Sequence, residues 1–210
     1  MSLVQPALLI RKLLPGSIWR MPDSGKTVYL TFDDGPTPGV TEHVLNMLAE
    51  VGAKATFFCI GNCVEKYPQL FNKLLEDGHA VGNHTYSHFN GWKVTFSKYK
   101  DDADKCATVF HSQLFRPPYG KLRPRQFLHL RKMYTIVMWD VLSMDYDTRL
   151  NSETCLNNVL DHVRNGSVIT FHDSQKAWPR LKEILPQILN KLSSIGYSFS
   201  VIHPKVLISK

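Results

Sequence analysis

The sequence has no long hydrophobic run, no internal repeat and no low-complexity tract. No segment approaches the roughly 18 consecutive apolar residues that a membrane-spanning helix needs, so a membrane span is not expected. No flexible linker divides the 210 residues, and that length lies within the usual size of one domain. The hydrophobic fraction of 43% is ordinary for a chain that buries a sizeable core.

Cysteine is scarce, and its spacing excludes two common uses. The four cysteines are Cys59, Cys63, Cys106 and Cys155. None of them forms a Cys-x-x-Cys pair, which argues against a zinc ribbon or a dithiol redox motif. We expect buried free thiols, as in a reducing compartment, although a disulfide stays open on sequence alone.

The sequence also lacks any long run of basic residues, although its net charge is +7, from 25 Lys and Arg against 18 Asp and Glu. Such a charge is compatible with an anionic partner, either nucleic acid or an acidic cell-wall polymer. Because the basic residues are scattered, they favour a basic solvated surface instead. We therefore expect no nucleic-acid partner.

Residues 1–26 are predicted to form an N-terminal helix and a lead-in segment. The apolar residues within Leu3–Leu14 predict a short packing helix that ends at Pro15-Gly16. The apolar run Ala7–Ile10 is shorter than the core of a signal peptide, and the basic pair follows it instead of preceding it. No signal peptide is predicted, which suits the cytoplasm, but cell-envelope association stays open. The sequence leaves the oligomeric state unknown.

Strand-like and helical patterns alternate through residues 27–210, which we treat as the main domain. Seven strands are predicted, at Thr27–Phe32, Ala55–Ile60, His79–Asn83, Leu114–Arg116, Thr135–Trp139, Ser167–Phe171 and Tyr197–Ile202. Helices are predicted between most of them, at Val40–Val51, Pro68–Asp77, Ser97–Ser112, Pro124–Lys132, Thr154–Arg164 and Pro179–Ser194. This alternation is typical of a parallel α/β fold, either a barrel or an open doubly wound sheet.

Ionisable side chains follow the ends of successive predicted strands. They are Asp33 and Asp34, His84, Arg116, Asp140 and Asp145, and His172. In a (β/α) barrel the C-terminal ends of the strands converge on one mouth, where the active site lies. An open sheet would spread the same positions along an edge, so the pattern favours a barrel.

Two of these groups have the residue types of a metal site. His84 and His88 are four residues apart, a spacing that places two imidazoles on one side of a helical turn and suits zinc. The dipeptide Asp33-Asp34 precedes Gly35-Pro36, which is also ordinary turn chemistry. Each signal is weak alone, but their shared placement at strand ends favours a metal site.

From Thr27 to Ile202 the chain resembles the polysaccharide deacetylase family, also called the NodB-homology domain or carbohydrate esterase family 4. The family motifs T-F-D-D-G, H-[ST]-x-x-H and R-x-x-P-Y (or close variants of the last) correspond to Thr31–Gly35, His84–His88 and Arg116–Tyr119. The fourth motif is looser, with Tyr146 in place of a tryptophan, and the fifth, L-x-H, falls on Thr170–His172. The resemblance implies a distorted (β/α) barrel of fewer than eight strands, which agrees with the seven predicted here.

The resemblance also implies a metal cofactor and its ligands. Asp34, His84 and His88 would bind a divalent cation, expected to be Zn2+, although Co2+, Ni2+ or Fe2+ would suit the same mixed donor set. One carboxylate and two imidazoles leave coordination positions for water and substrate, as a catalytic site requires.

Four residues are expected to carry the catalysis. Asp33 resembles the general base, and Arg116 would orient it, the alternative for Arg116 being a structural ion pair. His172 resembles the general acid that protonates the leaving amine, and a neighbouring carboxylate would favour its charged form. Asp145 matches the family position for that carboxylate, with Asp140 as a nearby competitor.

Four residues are expected to contact the substrate: Tyr119, Trp139, Tyr146 and Thr170. The backbone N–H of Tyr119 is implied as an oxyanion donor, and the aromatic ring at the fourth motif could stack on a sugar. Thr170 replaces a leucine that lines the acetyl slot in the family, which puts that slot in question. Ile169, Phe171 and Trp139 could supply its apolar wall, although Trp139 could equally be core.

The implied function is metal-dependent removal of N-acetyl groups from N-acetylglucosamine-containing glycans, either chitooligosaccharide or peptidoglycan, with release of acetate. Two alternatives stay open. One is hydrolysis of another non-peptide C–N bond, in a small amide or imide, which Thr170 keeps in view. The other is a non-catalytic glycan-binding module, although such a module would not need Asp33 and His172 together.

Overall fold

Parallel strands alternate with helices along the chain. The computed structural model describes residues 4–22 and 25–204. The strands in these residues are β1 (Thr27–Asp33), β2 (Thr56–Cys59), β3 (Ala80–Asn83), β4 (Leu114–Phe115), β5 (Thr135–Ile136), β6 (Val141–Leu142), β7 (Val168–His172) and β8 (Ser198–Phe199). The helices are α1 (Leu8–Leu13), α2 (Thr41–Glu50), α3 (Gly61–Lys66), α4 (Pro68–Glu76), α5 (Phe96–Val109), α6 (Pro124–Leu130), α7 (Ser152–Leu160) and α8 (Trp178–Ser194).

Strand β1 lies at the centre of the sheet, whose order is β5-β4-β3-β2-β1-β7-β6, and β8 pairs with the beginning of β1. The named strands pair in parallel throughout, so crossover connections must return the chain over the sheet between strands. Within the described residues the edge strands β5 and β6 do not pair with each other. The sheet is therefore a curled, incomplete barrel, which confirms the predicted distorted barrel with about seven strands.

Each of the seven predicted strands is present, although most are shorter than predicted. The six predicted helices are also present, with bounds that differ by up to four residues. Two short elements were not predicted, β6 and α3. Two residues of strand, as in β6, are too few to show any hydrophobic periodicity.

Aromatic packing fixes the strands that carry the site. Phe32 of β1 stacks between Phe57 of β2 and Phe171 of β7, with ring centroids 5.0 Å and 5.5 Å away. All three side chains are buried, and each such burial contributes about 1.5–3 kcal/mol. Because Asp33 directly follows Phe32 and His172 directly follows Phe171, this stack places two reactive side chains at adjacent strand ends.

The N-terminal helix differs from the prediction. Helix α1 spans Leu8–Leu13, while Leu3 lies outside the described residues. The predicted packing helix is wrong in one respect, because α1 buries none of its residues and Leu8 is 77% exposed. Instead, Arg11 attaches the helix to the domain, donating from Nη2 to Asp140 Oδ1 at 2.7 Å.

The remaining features agree with the composition. The four cysteines are free, and three of them are buried, as expected. None of the helices in the described ranges combines the length and the apolar character that crossing a membrane requires.

Candidate metal centre and active site

The predicted site residues converge at the C-terminal ends of the strands. A cavity of about 570 Å³ opens there, and its walls include Asp33, Asp34, His84, His88 and His172. Asp33 and His172 end the adjacent strands β1 and β7, and His84 directly follows β3. The expectation that strand ends would gather these side chains is confirmed for this group.

Asp34, His84 and His88 form the one cluster of metal-ligand type found among the described residues. One potential ligand atom from each of the three lies within 4.8 Å of the others. Asp34 Oδ1 is 3.1 Å from His88 Nε2 and 3.7 Å from His84 Nε2. These distances show that the three side chains already face one another, with one oxygen and two nitrogen donors.

The electrostatics of the cluster suit a cation. His84 Nδ1 lies 2.7 Å from the Arg116 carbonyl oxygen, which can only accept, so Nδ1 carries the hydrogen and Nε2 is left as a metal-ligand atom. Burial lowers the pKa of His84 to about 4, which keeps the imidazole neutral. Although burial of Asp34 opposes ionisation, the hydrogen bond from His88 and the charge of His172 lower its pKa well below the usual range. His84 and Asp34 are therefore in the protonation states that a divalent metal requires of its ligands.

A loop, and not a helical turn, brings the two histidines together. Thr85 and His88 have φ angles of 63° and 56°, in the left-handed region that is unfavourable for residues with a side chain. The predicted helical placement of His84 and His88 is therefore wrong, although their proximity is correct. The Asp102 carboxylate supports the loop by accepting from the backbone N–H groups of Tyr86 and Ser87 at 3.1 Å and 2.9 Å.

Asp173, which had no predicted catalytic role, fixes the turn that carries Asp34. Its carboxylate accepts from the Gly35 backbone N–H at 3.0 Å and from Thr41 Oγ1 at 2.6 Å, and the residue is fully buried. A Cβ atom on Gly35 would overlap this carboxylate. Gly35 is therefore required by the close approach of Asp173, and that contact helps to hold the neighbouring Asp34.

Arg116 is fully buried and binds Asp33. Its Nη1 donates to Asp33 Oδ1 at 2.7 Å and to Thr31 Oγ1 at 2.7 Å. Its Nη2 donates to the Met138 carbonyl at 2.9 Å and its Nε to the Val137 carbonyl at 3.3 Å. The two alternatives for Arg116 are thus compatible, because one side chain both orients Asp33 and ties β1 to the segment after β5.

His172 is held by Asp145, on a loop between β6 and α7. Asp145 Oδ1 lies 2.8 Å from His172 Nδ1, and Asp145 Oδ2 accepts from the His172 backbone N–H at 2.9 Å. Burial favours the neutral imidazole, but the Asp145 carboxylate outweighs it and raises the pKa of His172 to about 9. The imidazole is therefore charged at neutral pH, with Nε2 left to face the cavity.

Asp140, the predicted competitor of Asp145, lies elsewhere. It precedes β6 and is fully buried. Its carboxylate accepts from Arg11 at 2.7 Å, from Arg164 at 2.8 Å and 3.0 Å, and from Ser167 at 2.9 Å. Because Asp140 is at the start of its strand and not at the end, its predicted place at the mouth is wrong.

The four predicted substrate contacts, Tyr119, Trp139, Tyr146 and Thr170, all line the cavity. Tyr119 is 58% exposed, with its ring 4.7 Å from that of His88. The Thr170 hydroxyl is 3.1 Å from Thr31 Oγ1, so it has a partner inside the sheet. Ile169 and Phe171 are fully buried in the core, so the suggestion that they form the cavity wall is wrong.

Some cavity residues were missed by sequence reasoning. Leu142 supplies apolar wall beside Trp139, and it lies on β6, the strand that was not predicted. Lys121 and Lys176 also line the cavity. Lysines outside any motif give no sequence signal, so only the fold could bring them to the site.

Comparison with known proteins identifies the family. A family model described as polysaccharide deacetylase matches residues 20–136, more than half of the chain. The chain is 31% identical over 208 residues to a peptidoglycan-N-acetylglucosamine deacetylase of Bacillus cereus, which covers 93% of this chain and 96% of that protein. It is 36% identical over 171 residues to a chitooligosaccharide deacetylase of Azorhizobium caulinodans, with coverage of 75% and 79%.

Other relatives are longer than this chain, which spans 64% of a further Bacillus cereus deacetylase with which it is 35% identical over 176 residues. Among solved structures, a crystal structure of a peptidoglycan N-acetylglucosamine deacetylase superposes with a TM-score of 0.79 at 31% identity, over 89% of this chain and 91% of that one. The matched motifs, the curled barrel and these relatives agree. The chain belongs to the polysaccharide deacetylase family, whose members are hydrolases of N-acetyl amide bonds.

Proposed function

We propose that this protein removes N-acetyl groups from N-acetylglucosamine-containing glycans, releasing acetate and leaving a free amine on the sugar. One observation carries the proposal: a metal-ligand cluster, a carboxylate and an imidazole share one cavity. The carboxylate and the imidazole each have a separate buried partner, Arg116 and Asp145. A glycan-binding module has no use for two such oriented and oppositely charged groups.

Asp34, His84 and His88 would hold the metal, and we propose zinc because tetrahedral nitrogen and oxygen donor sets with an open position suit it. A bound divalent cation would supply Lewis-acid stabilisation of developing negative charge and make a water molecule more acidic. The hydrogen bond from His84 to the Arg116 carbonyl supports this assignment, since metal-ligating histidines usually fix their second nitrogen in this way.

Asp33 would act as the general base. Arg116 occupies Oδ1, so Oδ2 is the atom assigned to accept a proton from the attacking water. As that proton leaves, the water oxygen forms a bond to the acetyl carbonyl carbon. The hydrogen bond from the buried guanidinium restricts the rotation of the Asp33 carboxylate.

His172 would act as the general acid. When the tetrahedral carbon collapses, the carbonyl double bond re-forms, the C–N bond breaks and the nitrogen takes the proton of His172 Nε2. The products are a neutral amine and acetic acid, which ionises to acetate, while the proton on Asp33 returns to solvent. An amine leaves poorly without such a proton. The raised pKa of His172, about 9, keeps this proton available at neutral pH.

Peptidoglycan and chitooligosaccharide are the proposed substrates, because relatives that match most of the chain carry those names. A wall substrate would place the protein at the cell envelope. The hydrogen bond between the Thr170 and Thr31 hydroxyls weakens the small-amide alternative, which rested in part on Thr170 in the acetyl slot.

The test is acetate release by zinc-reconstituted protein from N-acetylglucosamine oligomers, from peptidoglycan fragments and from a panel of small amides. Asp33→Asn and His172→Ala should each abolish turnover while zinc binding, measured by calorimetry, survives. Unchanged rates in both variants would reject the mechanism. Release confined to the small amides would reject the glycan substrate.

A further inference from the structure

An exposed tryptophan lies beside the cavity, in the loop that follows the metal-ligating histidines. Trp92 is 57% exposed, which is unusual for the largest apolar side chain. The Nζ of Lys121, which lines the cavity, lies 5.1 Å from the centroid of the Trp92 ring. We call this pair, Trp92 and Lys121, the rim platform.

The rim platform is rigidly held although it is exposed. The Trp92 indole N–H donates to the Leu122 carbonyl at 3.2 Å, and its backbone N–H donates to Asn90 Oδ1 at 3.0 Å. Arg123 Nη2 donates to the Trp92 carbonyl at 2.6 Å. The first bond holds the ring and the other two hold its backbone before any ligand arrives, and preorganisation lowers the entropy cost of binding.

Backbone packing also joins the two halves of the platform. A Cβ atom on Gly91 would overlap the Lys121 carbonyl oxygen, so the turn before Trp92 lies directly on the segment that carries Lys121. Gln126 Nε2 donates to the Gly91 carbonyl at 3.0 Å, and its Oε1 accepts from the Arg123 backbone N–H at 2.8 Å. The glycine is therefore needed to bring the tryptophan to the rim.

The charge of the platform is not neutralised by the protein. Lys121 forms no ion pair with any acidic side chain in residues 4–22 and 25–204. Tyr119 and Gly120, its neighbours in the chain, line the same cavity. A ligand that extends out of the cavity past Tyr119 would therefore meet an aromatic ring and an unpaired ammonium together.

We propose that the rim platform is a subsite for an acidic sugar residue adjoining the N-acetylated sugar in the cavity. The apolar face of a sugar ring suits the exposed indole, and a carboxylate on that sugar suits the ammonium. This inference depends on the proposed function, because it assigns a neighbour to the sugar that is deacetylated. The preferred substrate would then be a glycan that carries carboxylates, and not neutral chitooligosaccharide.

The test compares two tetrasaccharides of equal length on zinc-reconstituted protein. One alternates N-acetylglucosamine with N-acetylmuramic acid and is acidic, and the other is neutral chitotetraose. Binding by calorimetry and acetate release are both measured for wild type, Lys121→Gln, Lys121→Arg and Trp92→Ala. Lys66→Gln is the matched control, because Lys66 also lies over an aromatic ring, 5.5 Å from the Tyr67 centroid, but does not line the cavity.

Lys121→Gln should raise Kd and KM for the acidic tetrasaccharide by roughly three- to fivefold, the range of a partly exposed ion pair. The Kd and KM for chitotetraose should change by less than about twofold. Lys121→Arg should keep the preference for the acidic tetrasaccharide, and added salt should reduce that preference. Trp92→Ala should weaken binding of both tetrasaccharides. Lys66→Gln should change neither.

The two proposals fail in different ways. If wild type releases acetate from both tetrasaccharides but Lys121→Gln behaves like Lys66→Gln, or weakens both ligands equally, the subsite is overturned and the deacetylase function stands. If the acidic ligand binds in a Lys121-dependent manner and neither tetrasaccharide releases acetate, the deacetylase function is overturned, and the platform remains only as a binding site for an acidic sugar.

Discussion

The substitution Arg116→Lys tests the buried network that links Asp33 to the sheet. The guanidinium makes four hydrogen bonds, two of them to the carbonyl oxygens of Val137 and Met138, with no exposure to solvent. It also lies over the Phe58 ring, 4.1 Å from the centroid. A lysine keeps the charge but has one nitrogen, which cannot reach acceptors spread around a planar fork.

The expected loss in the free energy of unfolding follows from the hydrogen-bond acceptors that a lysine at this position would leave without a donor. If the ammonium follows the charge of Asp33, two buried carbonyl oxygens lose their donors, at about 1–3 kcal/mol each. The expected loss is therefore about 2–6 kcal/mol, a large share of the 5–15 kcal/mol typical of a folded domain. Acetate release should fall as well, because Asp33 would no longer be held by a fork.

Arg149→Lys is the matched control. Arg149 also binds a carboxylate through two nitrogens, at 2.6 Å and 2.9 Å from Asp147, but its side chain is 85% exposed. Water can replace each lost hydrogen bond at this exposed position, so the free energy of unfolding should fall by less than about 1 kcal/mol. Urea unfolding of metal-free protein measures both variants. Equal losses in Arg116→Lys and Arg149→Lys would refute the reasoning that burial decides the cost.

Three further predictions concern the site. Asp145 holds the pKa of His172 at about 9, so the proposed general acid is protonated below that pH. Asp145→Asn should therefore move the alkaline limb of kcat/KM to lower pH. A limb that does not move would rule out this role. Gly35→Ala should destabilise the fold by about 1–3 kcal/mol, because its Cβ would displace the Asp173 carboxylate, and unchanged thermal unfolding would count against that contact. Chelation of the metal should abolish acetate release, and added zinc should restore it. His88→Gln should weaken zinc binding by more than about 100-fold in a calorimetric titration. Full zinc affinity in this variant would remove His88 from the ligand set.

The sequence predicts the sheet well because its strands carry strong local signals. Strands such as β1 are buried on both faces, and reactive residues lie directly at the strand ends. That rule correctly gathers Asp33, His84 and His172 at one mouth. It fails for Asp140, because the short strand β6 begins after that residue and gives no pattern by which to place it.

The geometry of the loops could not be predicted from the sequence, because tertiary contacts determine it. The spacing of His84 and His88 fits a helix, and only tertiary contacts, such as those from Asp102, show that a loop brings them together. A single sequence also gives no sign of which residue packs against an exposed residue that belongs to no motif. Lys121 and Trp92 are distant in sequence, and packing around Gly91 is what joins them.

Backbone strain is concentrated where the chemistry would occur. In the described part of the chain, the non-glycine residues with positive φ are Asp34, Thr85, His88, Tyr119 and Met144. Two of them belong to the metal-ligand cluster, Thr85 lies between its two histidines, and Met144 precedes the partner of His172. Each such residue costs about 1–3 kcal/mol, and the cost persists only where surrounding contacts enforce it. The packed aromatic core and the buried bonds of Asp173, Asp102 and Arg116 supply that enforcement, so the site depends on the stability of the barrel that carries it.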